Sequence, residues 1–187
     1  MTVKEVRKFV ARKSKNKSVH IHSIGKNRHQ ALLSQIFIGG DEWLQGEILQ
    51  RGLGYVFYQG KADTLIEDML RLEDQARQQK KGIWKSRKYG VVNADDVAKN
   101  PKKYRYRFVI VEGNIVGVFK TKKKTYLNFS EDWKTDFTVV IDKKDLNKFP
   151  ADLAANFTDK TIRVRGWVES FNGPFVRVTD PSQLEVN

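Results

Sequence analysis

From Tyr104 onward apolar residues fall two apart, and that period restricts what this part of the chain can become. Arg105, Arg107, Val109 and Val111 interleave with Tyr106, Phe108 and Ile110. Successive side chains of an extended strand point to opposite faces, so such a run offers one face to a core and one to water. Gly113 interrupts the run and residues 115–119 resume it. Residues 125–129, 137–141, 161–169 and 175–178 have the same character, with Asn172-Gly173-Pro174 as the turn between the last two. Residues 145–157 are expected to be helical despite Pro150. The pattern predicts five short strands with one helix before the fourth.

That order is the order of the OB barrel. Residues 104–187 are therefore expected to form a five-stranded OB-like barrel. Residues 87–103 read as a linker with a short turn of helix, Pro101 following Asn100 as a turn signal.

Residues 1–86 change to a helical period. Val3, Val6 and Val10 make the stripe of a short amphipathic helix, with Lys4, Arg7, Lys8, Arg12 and Lys13 opposite. Residues 19–24 alternate as a half-buried strand that carries His20 and His22 on its polar face, and residues 32–38 form a second strand ended by Gly39-Gly40. Asp41 is the expected cap of a helix with Leu44 and Ile48 on its apolar side and Gly52 just past its end. A longer helix follows on Leu65, Met69, Leu72 and Ala76. Thr64 and Glu67 are its expected capping box, and Lys80, Lys81 and Gly82 close it. The fold class is α+β, mostly β, with the order helix, strand, strand, helix, helix before the barrel.

The 187 residues carry a formal net charge of +13, which favours a polyanion as partner, nucleic acid first and an anionic membrane surface second. There is no cysteine, which excludes disulfides, thiolate metal sites and a cysteine nucleophile. His20 and His22 at i, i+2 can ligate a metal on a strand, but no third ligand stands at useful spacing, so no metal site is expected. The first residues are charged where a signal peptide needs an apolar run, and no stretch has the length of a membrane span. A cytoplasmic protein is expected, or an exported one if a segment precedes Met1.

Nucleic-acid-binding OB folds combine aromatic platforms with a basic groove. The candidate contacts are Tyr126, Phe129 and Trp133 with Lys120, Lys122, Lys123 and Lys124, and, in the first half, Lys26 and Arg28. Phe108, Phe137 and Trp167 are expected in the core. Asp132 and Asp136 read as ordinary loop charges rather than a metal-holding pair.

Two phrases in the first half, Gln50-Arg51-Gly52-Leu53-Gly54 and Lys80-Lys81-Gly82-Ile83-Trp84, stand in order and at fitting distances. Through them residues 1–86 resemble the second half of a staphylococcal-nuclease-like (thermonuclease family) domain. The second half of the chain is similar to an OB-like domain that follows the nuclease domain in some bacterial members. The shared phrases there are Tyr126-Leu127-Asn128-Phe129, residues 132–137, and Arg165-Gly166-Trp167-Val168 leading to Asn172-Gly173-Pro174. The resemblance implies a five-stranded barrel of which two strands are represented, with an open edge covered by a second copy or a partner chain. Set on Asn27-Arg28-His29-Gln30-Ala31, the family turn keeps Arg28 but has Ala31 where the family places a catalytic arginine. The family's calcium-binding aspartates and its general base precede the first helix in members of the family. The resemblance thus implies a catalytically degenerate protein that binds mainly single strands, DNA or RNA, with no cofactor. Two alternatives stay open: a calcium-dependent phosphodiesterase whose other half comes from elsewhere, and a protein assembly module.

Overall fold

Near residue 90 the helical period gives way to the strand period, and the chain divides there. The computed structural model describes residues 3–26, 29–57 and 64–186, and it comprises two units that meet in sequence at Tyr89 and Gly90.

The first unit opens with α1 (Val3–Ser14), then an antiparallel sheet of β1 (Val19–Lys26), β2 (Leu32–Ile38) and β3 (Glu42–Trp43) in that order. α1 turns Phe9 and Val10 onto Ile38, Ile36 and Leu44, and its basic side faces outward. Two lysines pin it down: Lys13 reaches Glu42 at 2.7 Å and Glu47 at 2.5 Å, and Lys17 reaches Glu42 at 3.0 Å. The hydrogen bond to Glu42 is the largest reason that the Lys13 ammonium holds its proton above the ordinary lysine range. β1 is paired on one side only among the described residues, and Ile21 at its middle is 58% exposed.

α2 (Leu44–Gln50) starts at Trp43 without a side-chain cap, so Asp41 does not serve as the cap its position suggests. Its end follows the expectation closely. The Gly52 N–H donates to Leu49 O at 2.8 Å and the Leu53 N–H to Ile48 O at 2.9 Å, with Gly52 at φ +64°. These are the two bonds of a Schellman ending, which needs a left-handed residue. α3 (Ile66–Gln78) begins after Leu65, again with no side-chain cap, so Thr64 and Glu67 do not form the capping box. It closes by the same bond pair one helix later, Lys80 to Arg77 O and Lys81 to Ala76 O.

The two endings then interlock. The Ile83 N–H donates to Gly52 O at 2.8 Å. A Cβ on Gly82, at φ +52°, would lie 2.0 Å from Gly52 O, and one on Gly52 would lie 2.4 Å from Lys81 O. Neither glycine can be replaced without moving backbone. Beside this joint the wholly buried Glu73 accepts the Val56 N–H, and Arg77 lies between Asp74 at 2.6 Å and the face of Trp84. Tyr55 meets Trp84 edge-on at 5.1 Å and donates to Tyr89 O at 2.8 Å.

The second unit starts inside the stretch read as a linker. β4 (Val92–Asn93) pairs in parallel with β5 (Phe108–Asn114). Between them α4 (Ala94–Lys99) and α5 (Pro101–Tyr104) bury Ala94, Val97 and Tyr104 in the unit's core. Residues 90–103 are thus part of the second unit, because three apolar side chains dispersed among polar neighbours find one core. The rest is β6 (Gly117–Lys120), β7 (Lys124–Asn128), β8 (Thr138–Asp142), α6 (Leu153–Phe157), β9 (Thr161–Ser170), β10 (Pro174–Val178) and β11 (Leu184–Val186). The helix expected over 145–157 is a 3-10 stretch, Lys143–Lys148, and then α6. Phe149, before Pro150, is extended, as the proline ring requires of its predecessor.

The path of paired strands runs β5, β9, β10, β8, β7, β6, with β10 parallel to β8. Its two ends are consecutive in the chain. Ile115 donates to Lys160 O and Val116 to Asn128 O, so one bent strand, 108–120, serves β9 with its first half and β7 with its second. This is the strand order of an OB fold. Val111, Ile115, Leu127, Ile141, Val164 and Val176 point inward and are completely buried.

The glycine joint yields a direct expectation. Gly82→Ala combines a left-handed conformation with a backbone clash, and it should cost at least ~2 kcal/mol of unfolding free energy. Gly40→Ala, with nothing within 4 Å of the added Cβ, should cost about 1 kcal/mol. Urea titration of the two variants checks the ranking.

Candidate nucleic-acid interface

Parity along β7 decides which side chains reach solvent. Thr125 and Leu127 are buried, so Lys124, Tyr126 and Asn128 point outward. Phe129 continues the inward series. It is 7% exposed and meets Phe137 edge-on at 5.1 Å, so it belongs to the core and is removed from the candidate contacts. The same alternation places Tyr126 and Phe129 on opposite faces, a signal present in the sequence.

Across the ladder Phe119 opposes Tyr126, their ring centroids 6.5 Å apart, and Phe119 is 61% exposed. Sequence reasoning missed Phe119. Val118 beside it packs on the core, and parity then sends Phe119 outward. The row continues through Val140 to Arg177, which lie opposite Tyr126 and each other in register. Arg177 donates to both oxygens of Asp142 at 3.0 and 2.8 Å and approaches Glu169 at 3.6 Å.

The β6–β7 turn holds the cations. Lys120, Lys122 and Lys123 are exposed and Lys124 half-buried. Thr121 shapes the turn: its hydroxyl accepts from the Lys123 and Lys124 N–H groups and donates to Lys124 O. Asp142 is the register partner of Lys124, but Arg177 engages it. None of the four lysines forms an ion pair among the described residues.

At the other end of β7, roughly 13 Å away at the rise of an extended strand, the loop to β8 carries Trp133. Its ring is 60% exposed, with the Lys134 ammonium 5.7 Å from its centroid. Asp136 holds this loop. One of its oxygens accepts the Phe129 and Ser130 N–H groups at 3.0 and 3.1 Å, and the other accepts the Thr138 hydroxyl at 2.9 Å. Asp132 accepts the Thr135 hydroxyl at 2.7 Å. Both carboxylates, read from sequence as surface charges, are structural, and Asp136 is buried. Gly173 between β9 and β10 sits against the carbonyls of Asp136 and Lys134, which brings the exposed Phe171 to the same end. Trp167 is half exposed rather than in the core, Phe108 is partly buried against it, and Phe137 is fully buried.

The remaining candidates lie in the first unit. Lys26 is exposed at the end of β1, and Ala31 is exposed just before β2. Arg28 lies outside the described residues. His20 and His22 are exposed, and among the described residues no group of three or more His, Cys, Asp or Glu side chains is placed to hold a metal ion. Among the described residues no helix is long and apolar enough to cross a membrane. A cleft of about 760 Å3 is lined by Phe9, Arg51, Lys81 and Lys85, with Glu5 as its carboxylate.

Asp136 gives a pH test. Burial pushes its carboxyl above the ordinary carboxylate range, against the pull of the Thr138, Ser130 and Phe129 hydrogen bonds. The folded state therefore binds this proton more tightly than the unfolded chain. Its contribution to stability is present in full below the ordinary carboxylate pKa and is lost as pH rises through the raised folded value. Asp136→Asn, whose amide can accept the two N–H groups and donate to Thr138, should fold and show a flatter dependence of the unfolding midpoint on pH in that window. Asp136→Ala, which orphans the buried Phe129 N–H and the part-buried Ser130 N–H, should lose roughly 1–3 kcal/mol. Thermal unfolding across pH checks both.

No curated protein matches the chain. Residues 3–86 match the family model described as staphylococcal nuclease homologue, and this segment, built round the Gly52–Gly82 joint, is staphylococcal-nuclease-like.

Proposed function

We propose that the protein binds single-stranded nucleic acid through the outer face of β6, β7 and β8, and that it does so without hydrolysing the strand. The observation that carries this reading is the hairpin that pairs Phe119 with Tyr126 beside four lysines with no carboxylate partner among the described residues. In OB folds the second and third strands and the loop between the first two are the usual oligonucleotide surface. Here these are β7, β8 and the lysine turn. The lysines would neutralise phosphates, and the rings would stack on bases, each stacked base contributing roughly 1–3 kcal/mol. Trp133 and Phe171 extend the aromatic track at the far end. Neither charge nor stacking reads base edges, so the reading implies little sequence preference. Ala31, where the resembling family has an arginine that stabilises charge on phosphorus, supports binding without cleavage. Loss of one such contact costs on the order of a hundredfold in rate.

Fluorescence polarisation of an end-labelled single-stranded oligonucleotide, followed over time with calcium present, tests both halves. The expected result is a stable rise that falls steeply with salt. A rise that decays below the free-oligonucleotide baseline would overturn the non-hydrolytic reading. The double variant Lys122→Ala/Lys123→Ala should lower the slope of log affinity against log salt by about 1.4, at ~0.7 per phosphate contact on a single strand.

A second reading follows from β1. Among the described residues its outer edge is unpaired and carries the exposed Val19 and Ile21, with the exposed Leu32 on β2. An unpaired apolar edge favours pairing with another strand, from a second copy or another protein. Sedimentation velocity should then show a concentration-dependent dimer that Ile21→Lys abolishes. A monomer at every concentration would remove self-association from the account.

A further inference from the structure

The segment before β5 is strained where a small residue would relieve it. The Arg107 N–H donates to Tyr104 O at 2.9 Å, Arg105 has φ −50° and ψ 131°, and Tyr106 has φ +61°. This is a type II turn, whose third position calls for positive φ and therefore for glycine or asparagine. The next two bonds make a β-bulge. The Tyr106 N–H donates to Val168 O at 2.8 Å and the Val168 N–H to Arg107 O at 3.0 Å, so Tyr106 and Arg107 together oppose one residue of β9. A bulge of this kind also takes glycine in the left-handed position. Both motifs ask for glycine at one residue, and the chain has a tyrosine there.

Burial does not compensate the strain, because Tyr106 is 68% exposed. Non-glycine residues held in the left-handed region concentrate at ligand contacts. The conformation throws the ring outward with the Arg105 guanidinium 4.7 Å from its centroid. One step along the ladder, Phe108 opposes Trp167, their centroids 6.0 Å apart and edge to face, and Trp167 is 52% exposed. Lys102, Lys103, Arg105 and Arg107 are all exposed, and none forms an ion pair among the described residues. From residue 97 to residue 111 there is no aspartate or glutamate.

We infer that residues 102–108 and Trp167 form a second single-strand nucleic-acid contact on the C-terminal unit, with Tyr106 and Trp167 as stacking platforms and Arg105 and Arg107 as phosphate contacts. The inference rests on the reading that this unit binds nucleic acid, and it adds β5 and β9 to the β7–β8 face. Rings alternating with cations fit a polymer that alternates flat bases with phosphates. A purely apolar partner surface would leave four cations facing nothing.

The test uses the full chain, 5′-labelled oligothymidylate at low salt, and thermal unfolding of every variant. Tyr106→Gly removes the ring and relieves the backbone. It should raise the unfolding midpoint and weaken oligothymidylate binding about tenfold, a factor within the range for one stacked base. Trp167→Ala should weaken binding by a similar factor with an unchanged midpoint. Raised stability together with lost affinity is a pairing that a merely structural tyrosine would not produce. If both variants bind like the parent while Lys122→Ala/Lys123→Ala weakens binding, this second contact is overturned and the β7–β8 reading stands. If the parent chain does not bind oligothymidylate, both fall. A lower midpoint for Tyr106→Gly would overturn the strain argument.

Discussion

The second unit depends on one change of partner. The strand from Phe108 to Lys120 leaves β9 and joins β7 across two residues, Ile115 and Val116. The Ile115 side chain is wholly buried at that point, and its carbonyl also accepts the Asp159 N–H at 2.8 Å. Because the handover comes at a fixed residue, the parity of every following side chain is fixed with it. A slip by one residue would exchange the two faces of β6. Phe119 would go in and Val118 out, and the hairpin would lose the ring that stands beside Tyr126. The row of Phe119, Tyr126, the buried Val140 and Arg177 is a consequence of that register.

Charge is sorted by residue type in this unit. The β9 and β10 arginines have carboxylate partners: Arg163 with Glu112 at 2.6 Å, Arg165 with Glu185, and Arg177 with Asp142 at 2.8 Å. A planar guanidinium suits a fixed two-oxygen partner, whereas an ammonium on a long stem remains mobile and hydrated. The acids of the sheet are largely taken by arginines within it, and the turn lysines are left to face solvent. Residues 90–187 carry only +4 of the net charge of +13, so this unit presents its cations locally, at the turn and before β5, rather than as a uniform field.

Much of this architecture was legible in the alternation of residues 104–178, because a half-buried strand leaves a period of two in its side chains. The end of α2 was legible for a different reason, since a left-handed ending leaves Gly52 in the text, whereas α3 ends on Lys80 at φ +51° with no glycine at that position. What stayed hidden depended on contacts distant in sequence. Ala94 and Val97 look like linker residues until the β4–β5 pairing puts them over the core. Phe129 reads as a platform from its lysine neighbours alone, although the alternation through Tyr126 already sets it on the inward face. Asp136 looked like a solvated charge, and its role becomes visible only with the Phe129 and Ser130 N–H groups converging on it. Tyr106 is the reverse case. Local preference predicts continued strand there, and the chain turns instead, against the inclination of its own residue.

The joint between Gly52 and Gly82 bears on how kinship in such chains should be interpreted. The two phrases through which residues 1–86 resemble the staphylococcal-nuclease-like family lie at the two helix endings that touch. Backbone meets backbone there, with no room for a side chain. A signature of this sort records a packing requirement, which is independent of the chemistry carried elsewhere on the chain. Family likeness in the first unit is thus carried by a backbone joint of two glycines, whereas what the molecule binds is decided by the side chains its surfaces present.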